Sequence, residues 1–408
     1  MIKSIYKSAL YSCTNKRIIA KLLSNKAEKI VVKTCEIRNP DYHFLNKKKT
    51  FYKSKITGER FSKKPDDYSP SRYREFSDAS RRHKKILKNL NFYLSELPTP
   101  RYLFSKKESD YKKNALFHIG NTKFILLDIK SFFPNCRFDI IRNFFIKESG
   151  FNMCKKRNVN GVDEFETDVA DSLARLVTAP IDFDINKRFV PQGYPTSTLI
   201  CFFAYKEMFD EIDNLAKNYS LKFSTYVDDL TFSYSNVKIN EMEFVNRVIE
   251  IVEKYHHTIN KKKVKIIDIE KIVGPNKEKH LPCVTGLIVK RNKVRASTNM
   301  HKKMNTLFNK LNSFGRIKNR DDYIKKWELY VSLTGIYNTI NYIEPTHTQK
   351  NRLNVKKVLD KNKKNFLFHI SINRIKQLKM QQQIYDAYRT GTLNEFAKKH
   401  KDKLVEKK

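Results

Sequence analysis

The chain has 408 residues, of which 82 are Lys or Arg and 43 are Asp or Glu, for a formal net charge of +39. That excess is more than solubility asks of a chain this long, and it makes a phosphate backbone the expected counterion. No run approaches the ~18 apolar residues that a membrane span needs, Met1–Lys7 carries charges where a signal peptide has its apolar core, and the six cysteines are scattered without a C-x-x-C pair; a membrane partner, a zinc site and a disulfide framework are disfavoured, and a cytoplasmic protein is expected.

Residues 1–65 read as a basic arm, with a hairpin turn at Thr57-Gly58-Glu59-Arg60 between Lys47-Lys48-Lys49 and Lys63-Lys64. Next, Arg81-Arg82-His83-Lys84-Lys85 leads into Ile86, Leu87, Leu90, Phe92, Tyr93 and Leu94, a basic helix with an apolar stripe. Its cations either meet phosphates or form a solvated face. Phe124–Leu127 is a continuous apolar run of buried-strand character that ends on Asp128. An acid in that place must be paired or sit at the strand's exposed end, because an uncompensated buried carboxylate is costly.

Pro191-Gln192-Gly193-Tyr194-Pro195-Thr196-Ser197 is a tight loop feeding a helical run from Leu199 to Ile212, with Thr196 or Ser197 as N-cap. Leu221–Tyr226 and Leu230–Tyr234 alternate large apolar with polar residues, as half-buried strands do, and present Asp228 and Asp229 at the tip between them. A solvated aspartate turn is the alternative. Phe244, Val245, Val248, Ile249, Val252 and Tyr255 have the spacing of a helix backing a sheet, and the adjacent His256 and His257 point apart. Lys261–Lys265 and Leu281–Val289 read as strands, the second followed by a turn at Lys290-Arg291-Asn292. In Asn299–Leu311, Met300, Met304, Leu307, Phe308 and Leu311 line one helix face, leaving Lys302, Lys303 and Lys310 free to meet a nucleic acid duplex. Residues 350–408 are basic and helical in composition; RNA contact, a partner protein and a partly disordered tail all suit them.

The chemistry concentrates on Asp128, Asp228 and Asp229. Two Mg²⁺ ions about 4 Å apart activate a hydroxyl and stabilise leaving pyrophosphate, and they require hard oxygen ligands of this kind. Asp128 and Asp228 are the expected bridging pair, with Asp229 secondary.

The order of strand ending in acid, Pro-Gln-Gly loop with helix, and Tyr-x-Asp-Asp hairpin resembles a reverse transcriptase palm. Asn114-Ala115-Leu116-Phe117-His118 and Val284-Thr285-Gly286 are similar to the Asn-Ala-x-x-His and Val-Thr-Gly motifs of retron reverse transcriptases, and the resemblance runs from about Arg72 to Tyr342. It implies an α+β right-hand polymerase: fingers at 66–123, a palm at 124–290 whose antiparallel sheet is backed by helices, and a helical thumb at 291–345, followed by a basic helical extension at 346–408. Asp128, Asp228 and Asp229 match the catalytic and metal-binding acids, joined by the Ile129 backbone carbonyl. Gln192, Gly193 and Tyr226 match nucleotide-binding positions. Phe133 matches the aromatic that blocks a ribose 2′-OH and so favours dNTPs; one of Phe132 and Phe133 is expected in the core. Asn114, His118, Val284, Thr285 and Gly286 are then expected at the RNA, with a core or capping role for His118 as the alternative. Two departures stand out: Tyr194 replaces a small residue, and Thr198 stands where the family usually has proline.

The implied activity is RNA-directed DNA synthesis, copying part of a cognate structured noncoding RNA (msr-msd) into single-stranded multicopy DNA from a guanosine 2′-OH. Mg²⁺, dNTPs, a retron effector protein with an antiphage role, and a host RNase H are the implied cofactor and partners. Another bacterial reverse transcriptase, of group II intron or abortive-infection type, and a non-catalytic RNA-binding scaffold are the alternatives.

Overall fold

In a computed structural model, the described residues are 9–12, 15–24, 28–44, 49–56, 58–69, 72–148, 156–159, 162–165, 169–181, 184–272, 280–345, 350–366 and 380–404. Thr57 of the expected turn, Lys47-Lys48, Cys13, Cys154 and the terminal Lys407-Lys408 lie outside them. The chain divides into two compact units, Met1–Asp268 and Ile269–Lys408. Among the described residues, no helix is long and apolar enough to cross a membrane.

In the first unit, β1 (Lys49–Ser54), β2 (Arg60–Phe61) and β3 (Tyr73–Asp78) form an antiparallel sheet in the order β2-β1-β3. Phe51 stacks on its cross-strand partner Phe76, 5.3 Å between ring centroids. This sheet joins residues 49–61 to 73–78 across the expected division at residue 65. The helix Arg81–Leu94 follows, started by Ser80, whose hydroxyl accepts from the His83 N–H. Ile86, Leu87, Leu90, Tyr93 and Leu94 form its buried stripe.

The larger sheet is built from β4 (Lys123–Asp128) and, after the hairpins β5–β6 (Lys156–Val159, Val162–Phe165) and β7–β8 (Ala179–Ile181, Asp184–Phe189), from β9 (Lys222–Tyr226), β10 (Asp229–Tyr234) and β11 (Lys265–Asp268). Its order is β11-β4-β10-β9, antiparallel throughout. Phe223 and Phe232 stack across β9 and β10 at 4.9 Å, and Phe232 meets Phe244 of the helix Glu241–Lys254 at 5.0 Å. That helix buries Phe244, Val245, Val248 and Val252 against the sheet.

Several local expectations change. Residues 230–234 are buried on both faces rather than alternating with solvent; Ser233 finds its partners in His118 and Asn121, and Tyr234 in Glu241. The run after the Pro-Gln-Gly loop is two helices, Ser197–Ala204 and Lys206–Asn218, broken at Tyr205. Thr196 sits at the N-cap without a side-chain capping bond, and the Ser197 hydroxyl instead donates to the Pro191 carbonyl. Lys261–Lys263 is a 3₁₀ turn, so the edge strand starts at Lys265. Phe132 and Phe133 lie in a short helix, Phe132–Asn135, not on a strand.

In the second unit, β12 (Cys283–Val284), β13 (Leu287–Lys290) and β14 (Lys293–Ala296) form an antiparallel meander. The expected single strand over Leu281–Val289 is thus a hairpin. Its two loop residues, Thr285 and Gly286, have φ of 48° and 83°, the left-handed pair that a tight twisted hairpin requires. This meander, placed at the end of the palm by sequence, belongs to the second compact unit. Helices Thr298–Asn312 and Arg320–Ile343 start on Ser297 and Asn319, whose side chains accept from Met300 N–H and Asp322 N–H. Tyr323, Trp327 and Tyr330 of the longer helix pack on Phe366, and Tyr323 also meets Tyr385 and Tyr388. The described part of the basic extension is therefore a set of helices fastened to that helix by aromatic rings.

Trp327 is fully buried. Trp327→Ala is expected to destabilise the second unit by about 3–5 kcal/mol. Calorimetry reads this as a lower unfolding transition, and a shift under roughly 2 °C would show that the aromatic cluster does not hold the unit together.

Candidate active site

Asp128 ends β4, Asp229 begins β10, and the antiparallel register sets them directly opposite one another. Asp228 precedes Asp229 in the two-residue turn Val227-Asp228, since β10 pairs Asp229 with Tyr226. The tip is thus one residue earlier than the sequence suggests. Val227 has a φ of 64°, a costly conformation for a β-branched residue, and its N–H is held by the Ser105 hydroxyl. The Ile129 N–H donates to the Asp228 carbonyl at 3.0 Å, tying the two acid-bearing segments together. Ile129 also bridges to Ile259, but the bonds of that bridge are donated by Lys130 and Asn260. They do not engage the Ile129 carbonyl.

The electrostatics of this corner are unfavourable to anions. Burial, with the neighbouring Asp128 carboxylate, raises the Asp228 carboxyl above its usual range. Burial, then Asp228 and Asp128, push Asp229 up to about 6. Lys263 Nζ lies 2.8 Å from Asp128 Oδ1, and with Arg74 it partly offsets the repulsion at both Asp228 and Asp229. Lys55, depressed by burial and then by Arg74 and Lys263, belongs to the same cationic group. Sequence reading missed these three residues; the acid cluster they serve comes from strands far away in the chain, and only a lysine-rich run after the backing helix hinted at Lys263.

As they stand, no three His, Cys, Asp or Glu side chains among the described residues are disposed to hold a metal ion. The chemistry of the donor set nonetheless fits one. Three crowded hard-oxygen carboxylates, two of them raised by burial and repulsion, are relieved by a divalent cation, and the exposed Lys263 ammonium at Asp128 is a weak competitor for it.

Around the acids, Phe133 is half-buried while Phe132 is buried against Tyr205, Phe209 and His257. The Gln192 carbonyl accepts from the Ser77 N–H of β3 at 3.3 Å. Gly193 has a φ of 124°, and a Cβ there would stand 3.0 Å from the Ser77 carbonyl oxygen, so only glycine fits. Tyr226 and Val227 border a cleft of about 550 Å³ that also takes in Lys88, Phe92, Lys106, Lys107 and Thr198. Cations and aromatic rings lining one groove suit a nucleic acid strand.

The residues expected at the RNA fare differently. His118 is fully buried, with its two ring nitrogens 2.7 Å from the hydroxyls of Ser233 on β10 and Ser224 on β9. Burial, with Lys222 nearby, lowers it to about 3, so it is neutral. It clasps the two strands of the acid hairpin and has no surface to offer RNA. Asn114 is likewise fully buried in the helix Tyr111–Phe117, and Val284 is core in the second unit. All three side chains fill the interior, as the core alternative for His118 has it. Thr285 is half-buried and Gly286 exposed at their hairpin tip, and Lys302 and Lys303 are exposed on the helix Thr298–Asn312.

Residues 62–303 match the family described as Reverse transcriptase (RNA-dependent DNA polymerase). The chain is similar to the retron Mx65 reverse transcriptase of Myxococcus xanthus, at 28% identity over 137 residues, covering 31% of this chain and 29% of that protein. It is also similar to the retron Ec48 reverse transcriptase of Escherichia coli, at 25% identity over 266 residues, covering 58% and 59%. The chain thus spans less than two thirds of the length of these curated relatives. Among solved structures, apo telomerase from Candida tropicalis gives a TM-score of 0.38 at 13% identity, covering 71% of this chain and 59% of that one. A likeness that low adds nothing to the register described above.

Two outcomes follow from the geometry. His118→Ala removes the ring that joins two buried serine hydroxyls, leaving Ser233 only its bond from Asn121, and is expected to cost about 2–4 kcal/mol in denaturant unfolding, with RNA affinity in filter binding changed less than about twofold; a large loss of affinity without loss of stability would place His118 at the RNA. Asp229 has a folded pKa of about 6, above its unfolded value, so its charge opposes folding at neutral pH and the opposition fades as pH falls through 6. Asp229→Asn is therefore expected to stabilise the protein in EDTA at pH 7.5 by on the order of 1 kcal/mol. That gain should shrink toward zero by about pH 4, and thermal melts showing destabilisation at pH 7.5 would refute it.

Proposed function

Because this chain belongs to the reverse transcriptase (RNA-dependent DNA polymerase) family, we propose that it synthesises DNA on an RNA template at the cluster of Asp128, Asp228 and Asp229. The observation that carries this reading is the register of Asp128 opposite Asp229 with Asp228 adjacent, three acids held together against their own repulsion. Asp128, Asp228 and Asp229, with the Ile129 carbonyl, would hold two Mg²⁺ ions, which when bound lower the pKa of an attacking hydroxyl and offset charge on departing pyrophosphate.

The chain's own groups do the rest. Arg74, Lys55 and Lys263 gather positive charge beside the acids for a triphosphate. The Gln192-Gly193 backbone, fixed to β3, takes the nucleotide's base and sugar, with Tyr226 at the neighbouring cleft. Phe133 stands under the sugar and disfavours a 2′-OH, which makes dNTPs the substrates. Lys88, Lys106 and Lys107 hold the backbone of a strand whose bases meet Phe92 and Tyr226. Residues 66–123 serve as fingers, 124–290 as palm, 291–345 as thumb and 346–408 as its extension; Lys302 and Lys303 on the thumb helix and the Thr285-Gly286 tip add contacts to RNA.

The similarity to retron Mx65 and Ec48 reverse transcriptases supports a retron role. In that role the template is a cognate structured noncoding RNA, the primer a guanosine 2′-OH, and the product a branched RNA-DNA trimmed by a host RNase H and serving antiphage defence with an effector protein in the cytoplasm. The test is dNTP incorporation by the full chain on its cognate RNA with Mg²⁺. Asp228→Asn with Asp229→Asn should reduce synthesis by on the order of 1,000-fold while RNA binding persists, and undiminished synthesis would sink the catalytic assignment.

A further inference from the structure

The loop that carries Gln192 is held from behind by a part of the chain that precedes the region matching the family, residues 62–303. The helix Pro40–Phe44 brings Asp41 to Arg188, near the end of β8 and three residues before the loop. Arg188 donates from Nη1 to Asp41 Oδ2 at 2.9 Å and from Nη2 to Oδ1 at 2.8 Å, and its side chain is 0% exposed. Its Nε donates to the Thr178 hydroxyl, and Arg175 adds a second cation 3.3 Å from Asp41. A buried guanidinium so placed depends on its carboxylate, since removing one partner leaves an uncompensated charge.

Phe44, at the end of the same helix, stacks face to face on His83 with centroids 4.5 Å apart. His83 in turn meets Tyr194 edge-on at 5.1 Å. Its Nε2 lies 2.9 Å from the Leu176 carbonyl, which fixes the ring between Phe44 and the loop. Tyr194 is buried, and it is the position where a small residue was expected from the family resemblance. The large ring lies against His83, which Phe44 backs, and within reach of the charges of Arg188 and Asp41. In front, the loop is pinned to β3 by the Ser77 N–H and by the close approach of Gly193. It is therefore held by β3 on one side and on the other by His83, which the helix Pro40–Phe44 backs.

We propose that Asp41 and Phe44 are positioning residues for the incoming nucleotide, acting through Arg188, His83 and Tyr194 to set the Gln192-Gly193 backbone. The proposal rests on the reading of that loop as the nucleotide contact. Its signature is in substrate affinity: a loop no longer braced moves by fractions of an ångström, which loosens the nucleotide without removing any reacting group.

The experiment measures initial rates against dNTP concentration for the full chain with its cognate RNA, beside melting temperature and RNA affinity. Asp41→Asn should raise the KM for dNTP about tenfold and change kcat less than about twofold. Asp41→Asn combined with Arg188→Gln removes the stranded guanidinium; it should recover melting temperature yet keep the raised KM. Phe44→Leu, which leaves the ion pair intact, should raise KM about threefold and serves if Asp41→Asn does not fold. A KM within about twofold of the parent in the folded variants, with only melting temperature lowered, makes the brace a structural tie and overturns the proposal. Gly193→Ala, whose added Cβ would press on the Ser77 carbonyl and displace the loop backbone, separates the two readings. If it raises KM while the brace variants do not, the brace alone fails; if it leaves KM unchanged, the loop is not the nucleotide contact and the brace falls with it.

Discussion

The antiparallel register that sets Asp229 opposite Asp128 is the constraint on which the rest of the site depends. Side chains alternate faces along a strand, so a slip of one residue between β4 and β10 would separate the acids and turn Phe232 away from Phe244. The same hydrophobic pairing that buries the sheet therefore fixes the chemistry at its end. Burial and mutual repulsion raise Asp228 and Asp229, so the cluster works against the fold that creates it. A site of this kind persists only where its surroundings hold it more firmly than it pushes apart.

Those surroundings are visible on both faces of the hairpin. On one, Phe223, Phe232 and Phe244 form a continuous aromatic contact with the backing helix. On the other, His118 joins Ser224 and Ser233, turning polar strand positions that could face water into part of the interior. The backbone bond from Ile129 to Asp228 and the Ser105 hydroxyl on Val227 fix the turn itself. Lys263, Arg74 and Lys55 then set the balance of charge, coming from a turn after the backing helix and from the sheet of β1–β3.

The motif residues were legible to different degrees, for physical reasons. Asp128, the Pro-Gln-Gly loop and the Tyr226–Asp229 turn stood out in the sequence because an acid after an apolar strand, a Pro/Gly-punctuated loop before a helix and two adjacent carboxylates break the local pattern of a soluble fold, whereas the close approach of Gly193 to Ser77 exists only in three dimensions. Asn114, His118 and Val284 were drawn toward RNA by their place in recognised strings, yet they are interior. A polar residue looks like a ligand contact until its partner is known, and the partners of His118 lie more than a hundred positions away in the chain. The Asp41-Arg188 pair escaped for the same reason, being 147 residues apart.

By itself, the amino-acid sequence determined the charge of the molecule, the existence of the palm strands and the helices that bury apolar stripes, and the three acids. Each of these follows from composition, from periodicity, or from a residue type that its neighbours make costly. Tertiary structure decided which cations serve the acids, which motif side chains are core, where the second unit begins and what braces the Gln192 loop. Burial and hydrogen-bond partnership arise between segments remote in the chain, and local pattern holds no record of which segments will meet.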